Sequence, residues 1–426
     1  MSAGTSRAAT SAAAHQFDHT RRRIALRLLP FLFVLYISNY IDRANIAYAA
    51  IGIARDLHFS DRVFGLAAGI FFVSYVAGQV PGALLVERWS GRRMISATLI
   101  AAGVLSAATA FVRTPGQLYL VRFVLGAAEA GFFPGVVVYL SHWFICEDRA
   151  KATSNFMAAI PLSFVVGSPI AGLILGHRWF AIEGWRWLFM LEGLPAMLFG
   201  VVAFFYLDDL PREARWLAAE EREWVEGTLR EERPKSAVMP IKQALKSRAV
   251  LMLAAVGFLC YFAFYSMIFW LPSILKRESG LSDANVGVLG ALPYAALMAA
   301  MLFNGWHSDK QGERRWHVAV PVLIAAAGFL GLMAKPSSNW MLLTLLTMVT
   351  QGSAYLPAFW AIPTEILSES AAAASVGMIN AIGSVAGFAG PYLLGYVNAK
   401  TGSFTYGLAV MAVSCVAAAT IAVASD

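Results

Sequence analysis

Twelve predominantly apolar runs constrain this chain more than any other feature. They lie near 27–50, 63–86, 94–112, 117–144, 153–176, 187–207, 249–275, 286–306, 316–334, 340–363, 373–398 and 404–424. Each is close to or beyond the roughly 20 residues that a helix needs to cross a bilayer. Inside hydrocarbon every backbone N–H and C=O must be paired, and runs of this length meet that demand as helices. Composition agrees. The chain is 58% hydrophobic and 14% charged, with a mean hydropathy of +0.62, and a soluble chain of 426 residues would need more polar surface. The expected class is an all-α membrane protein with twelve transmembrane helices.

The longest polar stretch, 208–248, holds nine acidic and nine basic residues and divides the runs six and six. Within it, LAAEEREWVEGTLREER has the pattern of an amphipathic surface helix. The expected organisation is therefore a disordered tail over 1–23, a six-helix bundle over 24–207, a central loop over 208–248 and a second six-helix bundle over 249–426. The tail is rich in Ala, Ser and Thr, lacks a signal-peptide core and ends in the basic cluster Arg21, Arg22, Arg23 and Arg27. Lys and Arg favour the side bearing both termini and the central loop by 22 to 9, which predicts that side to be cytoplasmic. The formal charge of +7 is spread through these short connecting segments, so lipid headgroups, and not nucleic acid, are its expected partners. Cys146, Cys260 and Cys415 form no disulfide or metal-binding pattern.

Asp42, Arg43, Arg122 and Glu129 lie inside the apolar runs. A charge at the centre of a membrane helix costs about 2.5–3.5 kcal/mol on insertion scales, so these residues must be paired or line a wet cavity. Arg122 and Glu129 are seven residues apart, on one helix face and roughly 10 Å apart along the axis. Gly126 between them allows close approach of another backbone. Asp42 and Arg43 are adjacent and so point about 100° apart. Tyr36, Tyr40 and Arg43 share a face by their spacing, which makes an aromatic wall with a cation at its end. A guanidinium suits a carboxylate because its fork makes two parallel hydrogen bonds. Two acids and two guanidinium groups point to a site for anions and protons.

A loop repeats at matching places after the second and eighth runs. Gly305, Asp309, Lys310, Gly312, Arg314 and Arg315 form Gly-x-x-x-Asp-Lys-x-Gly-x-Arg-Arg; the earlier copy carries Ala83, Glu87, Arg88, Ser90, Arg92 and Arg93. An acid at a helix end, a tight turn and a basic pair are suited to capping one helix and latching a neighbour, so these are candidate gating loops. The pattern resembles the signature loop of the major facilitator superfamily, whose fold is two pseudo-symmetric six-helix bundles. The second copy matches at every position, and the first departs at Ala83, Glu87 and Ser90.

A narrower resemblance covers nearly the whole chain. YIDRANI at 40–46, RFVLGAAEAGFFPG at 122–135, GWRWLF at 184–189, FWLP at 269–272 and the run GMINAIGSVAGF containing Asn380 are similar to the anion:cation symporter family, most of all to its tartrate and 4-hydroxyphenylacetate permease branch. The resemblance implies proton-coupled uptake of a small organic carboxylate across a bacterial inner membrane. It implies a proton-responsive acid at Asp42 and a substrate-binding cation at Arg43, and adds to the expectation of proton coupling at Glu129. With Arg122, the residues Tyr40, Tyr75, Gln79, Tyr265, Trp360 and Asn380 are the expected substrate contacts. The second half has almost no charge within its runs, so proton handling is expected in the first. Gly65/Gly69, Gly172/Gly176 and Gly383/Gly387 are expected to permit close helix packing.

The chain has no Gly-Lys dipeptide and hence no Walker A loop, and no HExxH or GxSxG sequence, which argues against an ATP-driven pump or a hydrolase. No cofactor or metal is expected, and the protein is expected to act as a monomer. An uncoupled organic-anion uniporter or channel and a transporter-like receptor are the competing classes. The buried acids favour symport. A hydroxy-dicarboxylate and an aromatic acid both suit two arginines among Tyr, Phe and Trp, so the substrate stays open.

Overall fold

The structure, a computed structural model, describes residues 2–232, 247–366 and 369–424, with side chains from 17 onward except at 80, 83–84, 86–88, 150, 154–155 and 364–375. The first half comprises α1 (Ser2–Leu57), α2 (Asp61–Arg88), α3 (Gly91–Thr109), α4 (Pro115–Glu129), α5 (Phe132–Ser141), α6 (Cys146–Met157), α7 (Ala159–Leu175) and α8 (Gly184–Tyr206). After α9 (Ala219–Glu231) come α10 (Arg248–Ser279), α11 (Asp283–Gln311), α12 (Arg315–Met333), α13 (Asn339–Gln351), α14 (Leu356–Ile366), α15 (Glu369–Thr401) and α16 (Thr405–Ala424). A small antiparallel hairpin, β1 (Arg178–Trp179) and β2 (Ile182–Glu183), joins α7 to α8.

Among the described residues, ten helical stretches are long and apolar enough to cross a membrane. The third and fifth places in the expected order are filled by α3, with 19 residues, and α7, with 17. The ends are set by local chemistry. Ser60, Ser90, Ser247, Ser282 and Ser338 each accept from a backbone N–H in the first turn, and Thr114 forms a reciprocal capping box with Gln117. Gly280 and Gly312 end α10 and α11 in the left-handed conformation that glycine adopts without strain. The fourth run is broken at Ala130–Gly131 between α4 and α5, and the tenth by a 3₁₀ turn over Gly352–Tyr355 between α13 and α14. The two breaks occupy matching places in the two halves.

One expectation needs correction. The segment 1–23 was expected to be disordered, yet α1 begins at Ser2. Its alanines are the strongest helix formers, and no proline or glycine interrupts the segment after Gly4. From Phe17 onward it docks on the surface helix α9, which forms where the sequence placed it. Phe17 stacks on Trp224 at 4.3 Å, and Thr20 and Arg23 donate to the buried Glu221. Arg21 pairs with Asp148 at 2.7 Å and holds that carboxyl below its ordinary range.

Within the first half α3 packs on α8 and α2 on α4; within the second, α10 packs on α15 and α12 on α16. The halves meet through α2 on α15, α7 on α11 and α1 on α10. Small residues bring the backbones together there. A Cβ on Gly172 would lie 2.7 Å from Gly287 Cα, and one on Gly65 would lie 2.7 Å from the Pro391 carbonyl oxygen. Gly69, Gly383 and Gly387 also sit in close contacts, whereas Gly176 meets atoms only at ordinary distance, 3.7 Å, because it caps α7 beyond the crossing. At the face where α1 ends, hereafter the distal face, two ion pairs join the halves. Arg55 binds Asp283 at 2.8 Å, and Arg277 binds Asp61, which also accepts from Asn398.

This crossing is tight enough for a direct test. Gly172→Val is expected to lower the melting temperature in detergent, costing about 1–3 kcal/mol through overpacking. Gly176→Val is expected to cost much less. Equal losses in the two variants would refute the close-packed α7–α11 contact.

Candidate functional site

The site begins where α2 and α4 touch. A Cβ on Gly126 would run into the Phe71 carbonyl oxygen, so only glycine permits this approach. Arg122, one turn before Gly126, lays its guanidinium over the Phe71 ring at 4.7 Å and donates from Nε to the Ala67 carbonyl at 3.4 Å. Glu129, the last residue of α4, is fully buried beside the helix break.

Arg43 reaches Glu129 from α1. Its Nη2 donates to Glu129 Oε2 at 2.7 Å, and both side chains are buried. The guanidinium also lies 4.9, 5.1 and 4.8 Å from the ring centroids of Tyr40, Phe71 and Tyr75. Rings on this scale stabilise a cation without neutralising it, by about 0.5–2 kcal/mol each. The pair is incompletely satisfied. Arg43 Nε and Glu129 Oε1 have no hydrogen-bond partner among the described residues, and the same holds for Arg122 Nη2. A buried donor or acceptor left open costs about 1–3 kcal/mol, more when charged, so these atoms are poised to take a ligand or a proton.

Asp42 points elsewhere, as its 100° offset from Arg43 requires. It is 1% exposed, and neither carboxylate oxygen has a hydrogen-bond partner among the described residues. Ser106 of α3, Glu129 and Arg122 lie within its electrostatic reach. The two guanidinium groups and two acids picked out in the sequence therefore form one cluster on α1 and α4.

The structure adds a member that sequence reasoning missed. Glu192 of α8 is 9% exposed, with both carboxylate oxygens unpartnered among the described residues, and faces Asp42 and Asn45. The signal was present: it is the lone acid within the 23 apolar-rich residues of α8. Asn39 and Asn45 on α1 are also buried and carry open amide atoms.

The expected aromatic contacts divide. Tyr40 and Tyr75 pack directly on Arg43. Tyr265 of α10 crosses from the other half, with its ring 4.6 Å from Phe72, and lies within reach of Tyr40 and Arg43. Trp360 of α14 is half-buried with an open indole N–H, near Tyr261. Gln79 and Asn380 are half-buried and make no hydrogen bond to the cluster among the described residues.

Several contacts of the loops expected to gate are made among the described residues. Asp209 accepts from Ser90 Oγ at 2.6 Å and from Arg92 N–H at 2.8 Å, which ties the α2–α3 turn to the end of α8. Arg93 and Arg315 are exposed. Arg314 binds Asp309 at 2.6 Å and Ser308, and Lys310 lies 5.2 Å from the Trp306 ring. The side chains of Glu87 and Arg88 fall outside the described residues. Within the second loop, burial raises the Glu313 carboxyl, but hydrogen bonds from Trp316 N–H and His317 outweigh it and hold the group below its usual range.

The chain is similar in sequence and in fold to known proteins. The family model described as Major Facilitator Superfamily matches residues 32–391 and 261–425. A protein of Agrobacterium vitis that bears the provisional name tartrate transporter is 43% identical over 391 residues, covering 91% of this chain and 87% of its own. The inner membrane transport protein RhmT of Escherichia coli is 36% identical over 381 residues, with 88% of each chain covered. Among solved structures, a bacterial homolog of the human lysosomal transporter Spinster superposes with a TM-score of 0.73 at 19% identity, over 95% of both chains.

The buried pair predicts its own mutational signature. Arg43→Met strands the Glu129 carboxylate and is expected to destabilise the protein by about 3–5 kcal/mol. Arg43→Met combined with Glu129→Gln is expected to recover much of that loss. Thermal unfolding in detergent measures both, and additive losses would rule out the pair as drawn.

Proposed function

Because the chain belongs to the Major Facilitator Superfamily, we propose that it is a proton-coupled symporter of a small organic carboxylate, with tartrate or a related hydroxy acid the first candidate. We place it in a bacterial inner membrane, with the face that carries α9 and the start of α1 in the cytoplasm. The relatives' names support the substrate class and the membrane, and the Lys/Arg bias supports the orientation. One observation carries the mechanism: a buried arginine is bound to a buried glutamate by a single hydrogen bond, inside a box of three rings.

In this reading Glu129 and the substrate compete for Arg43. While Glu129 is ionised it occupies the guanidinium. A proton taken up by Glu129 removes that competitor, and the substrate carboxylate then binds the freed fork, where Tyr40 and Tyr75 line the approach. Asp42, on the other side of α1, holds a second proton whose charge is felt by Arg122 and Glu129. Tyr265 brings the second half to the substrate, so that occupancy changes the balance between the two arrangements of the halves. In this scheme closure of the distal ion pairs directs the exchange of substrate to the cytoplasmic side. Release lets Glu129 ionise and recapture Arg43.

Two variants test the scheme. Glu129→Gln, which mimics the protonated acid, is expected to bind and exchange tartrate in proteoliposomes but not to accumulate it when a pH difference is imposed. Undiminished proton-driven accumulation would remove Glu129 from coupling; the same result for Asp42→Asn would leave an uncoupled uniporter. Arg43→Ala is expected to abolish tartrate binding, with weak rescue by Arg43→Lys, whose point charge lacks the fork. A folded Arg43→Ala protein that binds tartrate like the parent would move the anion site elsewhere.

A further inference from the structure

We propose that Glu192 is a third proton-binding site, the outer station of a carboxylate chain that runs from Glu192 to Asp42 to Glu129. The inference rests on the coupling reading above and adds to it the side from which the proton arrives.

Position supports it first. Glu192 is seven residues beyond Trp185 on α8, about 10 Å of helix rise. Trp185 donates its indole N–H to Asp56 near the distal end of α1, where Arg186 also binds Asp56 and the Ala110 carbonyl. Glu192 faces Asn45, one turn of α1 nearer the distal face than Asp42. It therefore lies between the distal face and the central cluster.

Chemistry supports it next. Neither Glu192 oxygen has a hydrogen-bond partner among the described residues, and a carboxylate without a cation is costly to ionise away from water, which favours a proton there. Among the described residues no cation pairs with it. On α1 it meets Asp42 and Asn45, and Asn45 Nδ2 is itself open. On α3, the Ser106 hydroxyl is the neighbouring polar group, beside the tight contact between Gly103 and Gly193; Arg92 and Arg93 of α3 sit at its opposite end. The packed helix α7 carries no titratable side chain. The step is a simple transfer. Once Asp42 has passed its proton to Glu129, the O–H of Glu192 gives its proton to the Asp42 carboxylate and leaves a Glu192 carboxylate, which takes its next proton from the distal side. A Cβ on Gly193 would lie 2.6 Å from the Gly103 carbonyl oxygen, so glycine next to Glu192 lets α8 pack this closely on α3 and brings Glu192 beside Ser106.

The experiment uses the full chain in proteoliposomes with tartrate as the probe, together with infrared titration of the purified protein. Glu192→Gln is expected to melt like the parent. Its proton-driven accumulation is expected to fall roughly tenfold or more and to lose its dependence on external pH, as removal of a positioned proton donor should. Glu192→Asp is expected to restore accumulation with a shifted pH profile, and the Gln protein is expected to lack one protonated-carboxyl band seen in the parent. If the parent accumulates tartrate and Glu192→Gln keeps the parental pH profile and carboxyl bands, Glu192 is not a proton site and the coupling scheme stands without it. If the parent shows no proton-driven accumulation, the coupling reading fails and takes this inference with it. Should the Gln protein not fold, the Asp variant decides: an unshifted pH profile overturns the proposal.

Discussion

The rest of this structure depends on how a low-dielectric interior holds Arg43 against Glu129. Removing two charges from water costs several kcal/mol per ion, and their attraction repays that only with close contact and further hydrogen bonds. The contact here is close, at 2.7 Å, but the further bonds are incomplete. A fully satisfied pair would be a structural rivet. This one is held by a single bond and three ring faces, which is enough to keep the helices in register and too little to exclude another anion. Gly126 is the precondition, because any side chain there would push α4 from α2 and take Glu129 out of reach.

The halves divide the chemistry unequally despite their matched breaks. The first supplies the ionisable cluster on α1, α4 and α8. The second supplies rings and hydroxyls through Tyr261, Tyr265 and Trp360. The breaks at Ala130–Gly131 and Gly352–Tyr355 interrupt helices at matching places in the two halves, and interrupted helices in a membrane are tolerated where they border a protein-lined cavity. Charge concentrated in one half means that substrate bound there meets the other half mainly through neutral groups. Movement of the second half across the site then carries little charge-desolvation cost of its own.

The spans and most of the cluster were legible because both rest on local signals. An apolar run of about 20 residues reports a helix whatever its partners, and an acid or arginine inside one stands out. The Arg43–Glu129 pairing was not legible, since the partners are 86 residues apart and the sequence fixes neither the rotation of α4 nor its distance from α1. Glu192 shows a different failure. Its helix reads as an ordinary span, and nothing local says that its acid faces Asp42 instead of a loop. The N-terminal segment was misread because an Ala-rich composition suits both disorder and a helix, and the deciding contact with Trp224 lies some two hundred positions away. The latch from Asp209 to Arg92 was unreadable in the same way, although its turn, its basic pair and its repeat were visible.

The distal closure is weak where it is polar and strong where it is small. Arg55 and Arg277 are 58% and 42% exposed, and exposed ion pairs contribute only about 0–1 kcal/mol each. The glycine contacts of α7 with α11 and of α2 with α15 are close, and they have no charge to desolvate when they part. Two arrangements of the halves that differ by a few kcal/mol can be rebalanced by an event of that size, since about 5.5 kcal/mol turns a 1:99 population into 99:1. Making or breaking a buried carboxylate–guanidinium contact is of this order, about 3–5 kcal/mol when one partner is lost. In the proposed cycle, then, loss of the proton from Glu129 needs no mechanical lever to reopen the distal face. The Arg43–Glu129 contact that re-forms is of the size that can rebalance two such arrangements, and the ion pairs at the rim follow.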